Sequence, residues 1–600
     1  MKRSLSLQGV AVSPGVALGR AVLWLSREDT APRRHLEREE VPQEIERLRH
    51  AAQTAVQEIE ATAGEVSKRI GPEYAAIFHA HAMLLRDRAF LGLIEKKIEV
   101  DAVNAEWAVA ATAEKLGARF RDLPDEALAH RAADLDDVAV NLRKHLGDGV
   151  DTSHRFSQLS GEPTVLIADE LSPTDAVKIP RETVVAFATE RGGKTSHAAI
   201  LARSFGIPAV VAVPRLLASV GEGDRVIVDG QDGVVWREPS EDVVALFEER
   251  RTREASRERS LRERSLVGPV RTVDGQEVVV RANIELASEA EDVLAWGADG
   301  VGLFRSEFLY LSTTGESEFQ FLDEATQTDI YRRVVSRLAP LPVVIRTYDL
   351  GGKKGARSLV GAHEVNPVLG LRGVRLCLRR TEMFRTQLKA LLASAAEGDL
   401  RILVPMVSGV EEIRRVRSLL DEAKEELLDR GVPVPDHVPL GAMVEVPSAA
   451  LTADLIAPEV DFLSLGTNDL IQYTLAVDRA NETVSELFRP HHPAILRLIA
   501  RVVEACRAAS RPLAVCGEMA ADPVLFLLML GLGIREFSMG PRSVPVAKEV
   551  ARGISVGVAE RIARAALSLP TPEEVAALLT RETHALESGD LLTRSVEGRT

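Results

Sequence analysis

At 600 residues the chain is too long for one hydrophobic core and predicts three or four folding units. Its 46% hydrophobic, 27% charged and 4% aromatic residues are the composition of a soluble globular protein, which excludes disordered and fibrous classes. A net charge of −15 argues against DNA, RNA or anionic membrane as partners, and only three cysteines, Cys377, Cys506 and Cys516, argue against a disulfide framework.

The opening MKRSLSLQGVAVSPG lacks the apolar core of a secretory signal, and no later run reaches about 18 uninterrupted apolar residues, so a cytoplasmic location off the membrane is expected. Residues 1–24 read as short strands around turns at Gly9, Pro14, Gly15 and Gly19. Apolar residues then recur at three- and four-residue spacing over 44–70, 73–98, 104–120 and 134–146, which predicts amphipathic helices and a helical domain over 25–148. Strand-like runs return at PTVLIADEL, ETVVAFATE, IPAVVAV and DRVIVDGQDGVVW. Because strand character flanks the helices on both sides, the helices read as an insertion into one α/β domain made of residues 1–24 and 149–236.

Residues 237–268, crowded with charges of both signs, predict a solvated connecting helix. Beyond them short apolar strands alternate with helical patterns: VVVRANI, DGVGLF, PVVIRTYD, ILVPMV, GAMVEV, DFLSLGT, LAVCGE and EFSM. Eight such strands favour a closed parallel (β/α)8 barrel over residues 269–575, with an open doubly wound sheet as the alternative and a tail over 576–600.

The first chemical signal is GGKTSHAAILARSFGIPAVVAV, residues 192–213. Gly192 and Gly193 allow a tight turn, Thr195 or Ser196 can cap a helix, and His197 then falls in its first turn. Free backbone N–H groups and the positive end of the helix dipole there stabilise an anion attached to the imidazole. The string resembles the phosphohistidine domain shared by the phosphoenolpyruvate-utilising enzymes: Enzyme I of the bacterial phosphotransferase system, pyruvate phosphate dikinase and phosphoenolpyruvate synthase. The resemblance makes His197 the phosphoryl acceptor and gives Thr195 a hydrogen bond to the imidazole or the phosphate.

The second signal sits at the C-terminal ends of the proposed barrel strands, where barrel enzymes place their chemistry. Glu445 in MVEVPSA and Asp469 in LGTNDLIQYTLAVDR are two carboxylates of the kind that bind a hard cation such as Mg²⁺ together with waters and substrate oxygens. Arg305, Arg346, Arg372 and Arg479 occupy matching positions, and guanidinium forks grip phosphate and carboxylate oxygens. These strings resemble the magnesium and substrate site of the same family. By that resemblance Glu445 and Asp469 hold Mg²⁺, while Arg305, Arg346 and Arg479, with the amide of Asn468, clamp phosphoenolpyruvate. Cys516, in LAVCGEMAADP, resembles the family's proton donor, a thiol acting as general acid on the enolate; Cys377 and Cys506 read as small buried hydrophobes.

The resemblance covers essentially the whole chain, with departures at Lys353, where the family usually has aspartate, at LYLSTTGESEFQF, which lacks the usual M-x-R, and at Ala521 in place of glycine. The dikinase and synthase place a large ATP-binding domain before the histidine domain, whereas this chain holds only helices there and no P-loop. In Enzyme I such helices dock the phosphocarrier HPr. The expected activity is therefore transfer of phosphate from phosphoenolpyruvate to His197, with release of pyruvate, and then to HPr, as the first step of sugar uptake by the single-function form. Visiting both donor and carrier requires the α/β domain to swing on residues 237–268. The alternatives are a dikinase-like or synthase-like enzyme and a silent regulator that binds phosphoenolpyruvate or HPr. The resemblance also implies a homodimer through the barrel.

Overall fold

The computed structural model describes residues 4–24, 32–69, 78, 81–121, 126–147, 162–171, 179–180, 183–193, 199, 202, 206–307, 322–350, 366–479, 481 and 484–588. The chain forms two compact units, residues 1–256 and 257–600.

In the first unit eight strands form one sheet in the order β1-β8-β7-β3-β4-β5-β6-β2. Three come from the start of the chain: β1 (Leu5–Gln8), β2 (Val10–Ser13) and β3 (Val16–Trp24). The other five follow the helices: β4 (Thr164–Ala168), β5 (Val184–Thr189), β6 (Ala209–Val211), β7 (Arg225–Asp229) and β8 (Val234–Arg237). β3, β4, β5 and β6 run parallel, and the β3–β7 pair is antiparallel. The runs VLIA and AFA of the central strands are buried on both faces, as a covered parallel sheet requires.

Between β3 and β4 lie α1 (Val41–Arg69), α2 (Arg88–Asp101), α3 (Ala105–Arg121) and α4 (Glu126–His145). They share a core of their own, in which Ile45, Leu48, Ala52, Ala55, Val56 and Ile59 of α1 meet Ile94, Ile98, Val109 and Leu142. The single helix expected over 73–98 is broken within its described part. Residues 81–86 are helical, Asp87 is not, and α2 begins at Arg88. The Asp87 N–H turns back to Leu84 O (3.2 Å) while its own carbonyl accepts from Leu91 N–H (3.1 Å), so an aspartate starts a new helix, a position its residue type favours. Most described charges of the connecting helix α5 (Glu241–Ser265) are exposed, while Arg250 folds back onto Asp229 and Asp232 (3.0 Å each) and Arg264 onto Glu549 (3.3 Å).

In the second unit eight parallel strands close on themselves: β10 (Glu277–Ile284), β11 (Val301–Arg305), β12 (Val343–Arg346), β13 (Leu400–Val404), β14 (Leu440–Val444), β15 (Phe462–Leu465), β16 (Leu513–Val515) and β17 (Glu536–Met539). β10 pairs with both β11 and β17, which closes the (β/α)8 barrel, and β9 (Val270–Arg271) adds to it antiparallel. Inward residues Leu303, Val344, Leu403, Met443 and Phe462 fill the interior with Cys516. Gly441 leaves room for this filling, because a Cβ there would meet the Phe462 ring at 2.4 Å.

The barrel unit does not end at residue 575. The helix Pro572–Ser588 carries Val575, Leu578 and Leu579 into the barrel core, since their three- and four-residue spacing gives the helix an apolar face.

Candidate active site

β5 ends at Thr189, whose hydroxyl donates to Arg191 O (2.6 Å), and Gly192 then takes φ +112, a left-handed turn that glycine adopts freely. His197 and Thr195, and with them the substituted position Lys353, lie outside the described residues.

The barrel candidates converge. A cavity of about 260 Å³ at the C-terminal ends of the strands is lined by Arg305, Arg346, Arg372, Glu445, Asn468, Asp469, Arg479 and Cys516. Arg305 and Arg346 are the last residues of β11 and β12, and Glu445 and Cys516 directly follow β14 and β16. Asp469 and Asn468 lie one step further on, in the first turn of the helix Thr467–Leu475, rather than at the strand end itself.

Three depths can be distinguished. At the bottom, Arg346 pairs through one terminal nitrogen with the buried Glu307 and lies 3.2 Å from Asp349 through the other. Burial works against its charge, but Glu307, Asp349 and Glu445 outweigh burial and hold it firmly protonated. The buried Arg346 Nε and Glu307 Oε2 find no hydrogen-bond partner among the described residues. In the middle, the Arg372 guanidinium bridges Asp349 (2.7 Å) and Asp469 (3.1 Å), and also donates to the Tyr473 hydroxyl (3.0 Å). At the rim, Glu518 accepts from both Asn468 (3.1 Å) and Arg479 (3.2 Å), while Arg305 donates to Glu285 (2.5 Å).

Glu445 is the most stressed group. It accepts from the Met406 N–H (2.6 Å), and burial, followed by repulsion from Asp469 and Asp349, pushes its carboxyl up to about 8 against the pull of Arg346 and Arg372. Gly466 gives this carboxylate its space, since a Cβ would stand 2.8 Å from Glu445 Oε2. Four carboxyls, Glu307, Asp349, Glu445 and Asp469, face the guanidiniums of Arg346 and Arg372, so even with Glu445 protonated negative charge is short of a counterion, and oxygen donors are what a hard divalent cation takes. Glu445 and Asp469 fit such a cation with oxygens from substrate and water completing its shell; among the described residues no set of three or more His, Cys, Asp or Glu forms an all-protein cage.

Cys516 is buried, its thiol pushed up by burial and drawn partly back by a hydrogen bond from Ser464. Cys377 and Cys506 instead lie in the core around the barrel, and burial pushes the Cys506 thiol up to about 12. Sequence reasoning missed Glu307, Asp349, Glu285, Glu518 and Tyr473. The usable signal was local: Glu307 and Asp349 stand two and three residues after the strand-end arginines, in RSE and RTYD.

The amino-acid sequence matches three domain families of PEP-utilising enzymes: the N-terminal domain over residues 8–131, the mobile domain over 160–233 and the PEP-binding domain over 259–556. It is 42% identical over 579 residues to the phosphoenolpyruvate-protein phosphotransferase of Geobacillus stearothermophilus, covering 96% of this chain and 98% of that one. The chain belongs to the phosphoenolpyruvate-protein phosphotransferase family. The enzyme of Bacillus subtilis (strain 168) is 39% identical over 574 residues and that of Staphylococcus carnosus 37% over 583, each covering 96% of this chain and 99% of the relative. Membership thus spans the inserted helices, the sheet and the barrel together. Among the described residues no helix is long and apolar enough to cross a membrane.

Proposed function

We propose that the chain moves the phosphoryl group of phosphoenolpyruvate to His197, releases pyruvate, and then phosphorylates a histidine of the carrier HPr as the first step of phosphotransferase-system sugar uptake. The observation that carries this reading is the lining of the barrel-mouth cavity, four arginines and two cation-fitting carboxylates beside a buried thiol, in a chain related to named phosphotransferases over nearly its full length.

In this reading Arg346 and Arg305 receive the phosphate, and Arg479 and Asn468 receive the carboxylate at the rim. Mg²⁺ on Glu445 and Asp469 supplies further positive charge to the phosphate and enolate oxygens when bound. The arginines neutralise the charge that develops as the P–O bond breaks, and they stand ready before substrate enters because Glu307, Asp349 and Glu285 already fix them. Cys516 gives its proton to the methylene carbon of the enolate. Thr195 orients His197, and Arg372 holds Asp469 toward the cavity. HPr as acceptor, a barrel-mediated homodimer, a cytoplasmic location and a division into a histidine domain (1–24 and 149–236), an HPr-binding insertion (25–148), a linker (237–268) and the barrel complete the proposal; family membership supports them.

The test is incubation with labelled phosphoenolpyruvate and Mg²⁺, then HPr. Acid-labile, base-stable label is expected on the wild type and not on His197→Ala, with chase to HPr. An unlabelled wild type overturns the proposal, and label from ATP alone makes the protein dikinase-like.

A further inference from the structure

Ser464 is a polar residue in an apolar place. It lies on β15 two residues after Phe462, so the two side chains share the inward face of the strand, and Ser464 is only 1% exposed. Around it the barrel interior is filled by Leu303, Val344, Leu403, Met443 and Phe462. A hydroxyl buried in such a layer is unfavourable unless it is well hydrogen-bonded. The Ser464 hydroxyl donates to Cys516 Sγ at 3.3 Å, and the thiol in turn donates to Leu465 O at 3.5 Å. A neutral thiol sulfur is a weak acceptor and compensates the hydroxyl poorly, whereas a thiolate is a strong one. The hydroxyl is therefore better satisfied after Cys516 has lost its proton than before.

The Cys516 backbone is fixed as well. Asn283 Nδ2 donates to Cys516 O (3.0 Å), and the Ser538 hydroxyl donates to Asn283 Oδ1 (2.6 Å), so residues from β10 and β17 hold the end of β16 from the opposite side to Ser464. With the main chain held, the sulfur's remaining freedom is rotation about its own side-chain bonds, and the Ser464 and Leu465 contacts restrict that.

We propose that Ser464 is a positioning residue for Cys516, aiming the thiol and stabilising the thiolate it becomes when it protonates the enolate. The inference rests on the reading of Cys516 as proton donor. The step balances without a further reactant. The bond between phosphorus and the enol oxygen breaks as the phosphoryl group passes to His197, and the electron pair stays on the enolate. Its methylene carbon then takes the proton of the S–H bond, pyruvate forms, and the thiolate beside Ser464 regains a proton from water. Because the hydrogen bond strengthens as charge grows on sulfur, it stabilises the transition state more than the ground state, which is the condition for a rate effect.

The experiment uses the full chain with Mg²⁺ and phosphoenolpyruvate tritiated at one position of its methylene carbon, turned over in D₂O, and reads the chirality of the pyruvate methyl group. Wild type gives one handedness, because the proton comes from one face. Ser464→Ala is expected to give mostly racemic methyl, to slow pyruvate formation about tenfold, the loss of one hydrogen bond to a charged group, and to move the basic limb of that step to higher pH. Ser464→Thr, which keeps the hydroxyl, restores handedness. A residue that merely packs the strand would change thermal stability and leave chirality and the pH limb alone. Ser464→Ala with wild-type handedness and an unmoved limb, while Cys516→Ala gives racemic product, overturns the inference alone. Wild-type handedness from Cys516→Ala overturns the proton-donor reading beneath it.

Discussion

At the N-terminal end of the barrel, Lys548 is 1% exposed and donates to Gly297 O (2.7 Å), Ser265 O (3.4 Å) and Asp299 (2.6 Å), while Arg281 reaches Glu536 (2.7 Å). At the C-terminal end, Arg346, Arg372, Glu307, Asp349, Glu445 and Asp469 crowd a cavity in which carboxylates repel one another and Glu445 keeps a proton to about pH 8. Both ends bury charge, and both use side chains from several strands. The difference is that the lysine's donors all have fixed protein partners and tie the last turn of α5 to the barrel, whereas the charges at the mouth are balanced only when something enters. One end is settled by the fold; the other is held ready by it.

The largest expected effect falls at the settled end. Lys548→Met removes the buried ammonium from Gly297 O and Ser265 O and leaves Asp299 with the Val280 N–H (2.8 Å) in place of its ion pair, so the barrel unit should lose about 3 kcal/mol in urea unfolding. Activity per folded molecule should stay near wild type. If stability barely moves, the two ends are not different in kind.

Next is Arg346→Lys at the mouth. An ammonium keeps the charge but loses the fork that meets Glu307 through one terminal nitrogen and Asp349 through the other. Pyruvate release should fall on the order of 10²–10³-fold in single-turnover assays. A loss below about tenfold would mean that the Arg346 fork is structural, like Lys548.

Glu445→Gln gives a pH-dependent contrast. The folded carboxyl titrates at about 8 and the unfolded one near its ordinary value of about 4.3, so between these limits the folded state holds a proton that the unfolded state has lost. Wild-type stability therefore falls as pH rises through that window, by up to about 1.4 kcal/mol per pH unit, and glutamine lacks this loss. In metal-free buffer the urea midpoints of variant and wild type should diverge in the variant's favour from pH 5 to 8. A constant gap would mean that neighbouring arginines already neutralise the site.

The comparison also explains what was legible in the amino-acid sequence. The eight barrel strands could be found because each is a short apolar run between helical patterns, and Arg305, Arg346, Glu445 and Cys516 because they interrupt that apolarity at a strand's end. Ser464 and Asn283 could not be found this way, since their roles depend on which strands are neighbours around the closed barrel: β15 beside β16, and β10 beside β17. Asp349 stands three residues after Arg346 and so carried a local signal, but its bond to Arg372, 23 residues on, did not. The break at Asp87 and the burial of Leu578 and Leu579 escaped a reading by periodicity, which registers a face but not where a helix stops or what covers it.

The smallest effect is the sharpest probe of how readiness is maintained. The Tyr473 hydroxyl donates to Val368 O (2.7 Å) and accepts from Arg372 (3.0 Å), and burial pushes its ionisation up to about 12, so it remains a neutral donor at working pH. Tyr473→Phe strips one N–H of Arg372 of its partner but leaves its bonds to Asp349 and Asp469 in place. The loss should be about 1 kcal/mol of stability, the net value of one neutral hydrogen bond, with a few-fold rise in KM for phosphoenolpyruvate and little change in kcat. A stability loss above about 3 kcal/mol would mean that Arg372 is fixed by the tyrosine as firmly as Lys548 is fixed by its carbonyls. The mouth would then be a second settled end, and the charge balance there would be a property of the fold rather than of the ligand that completes it.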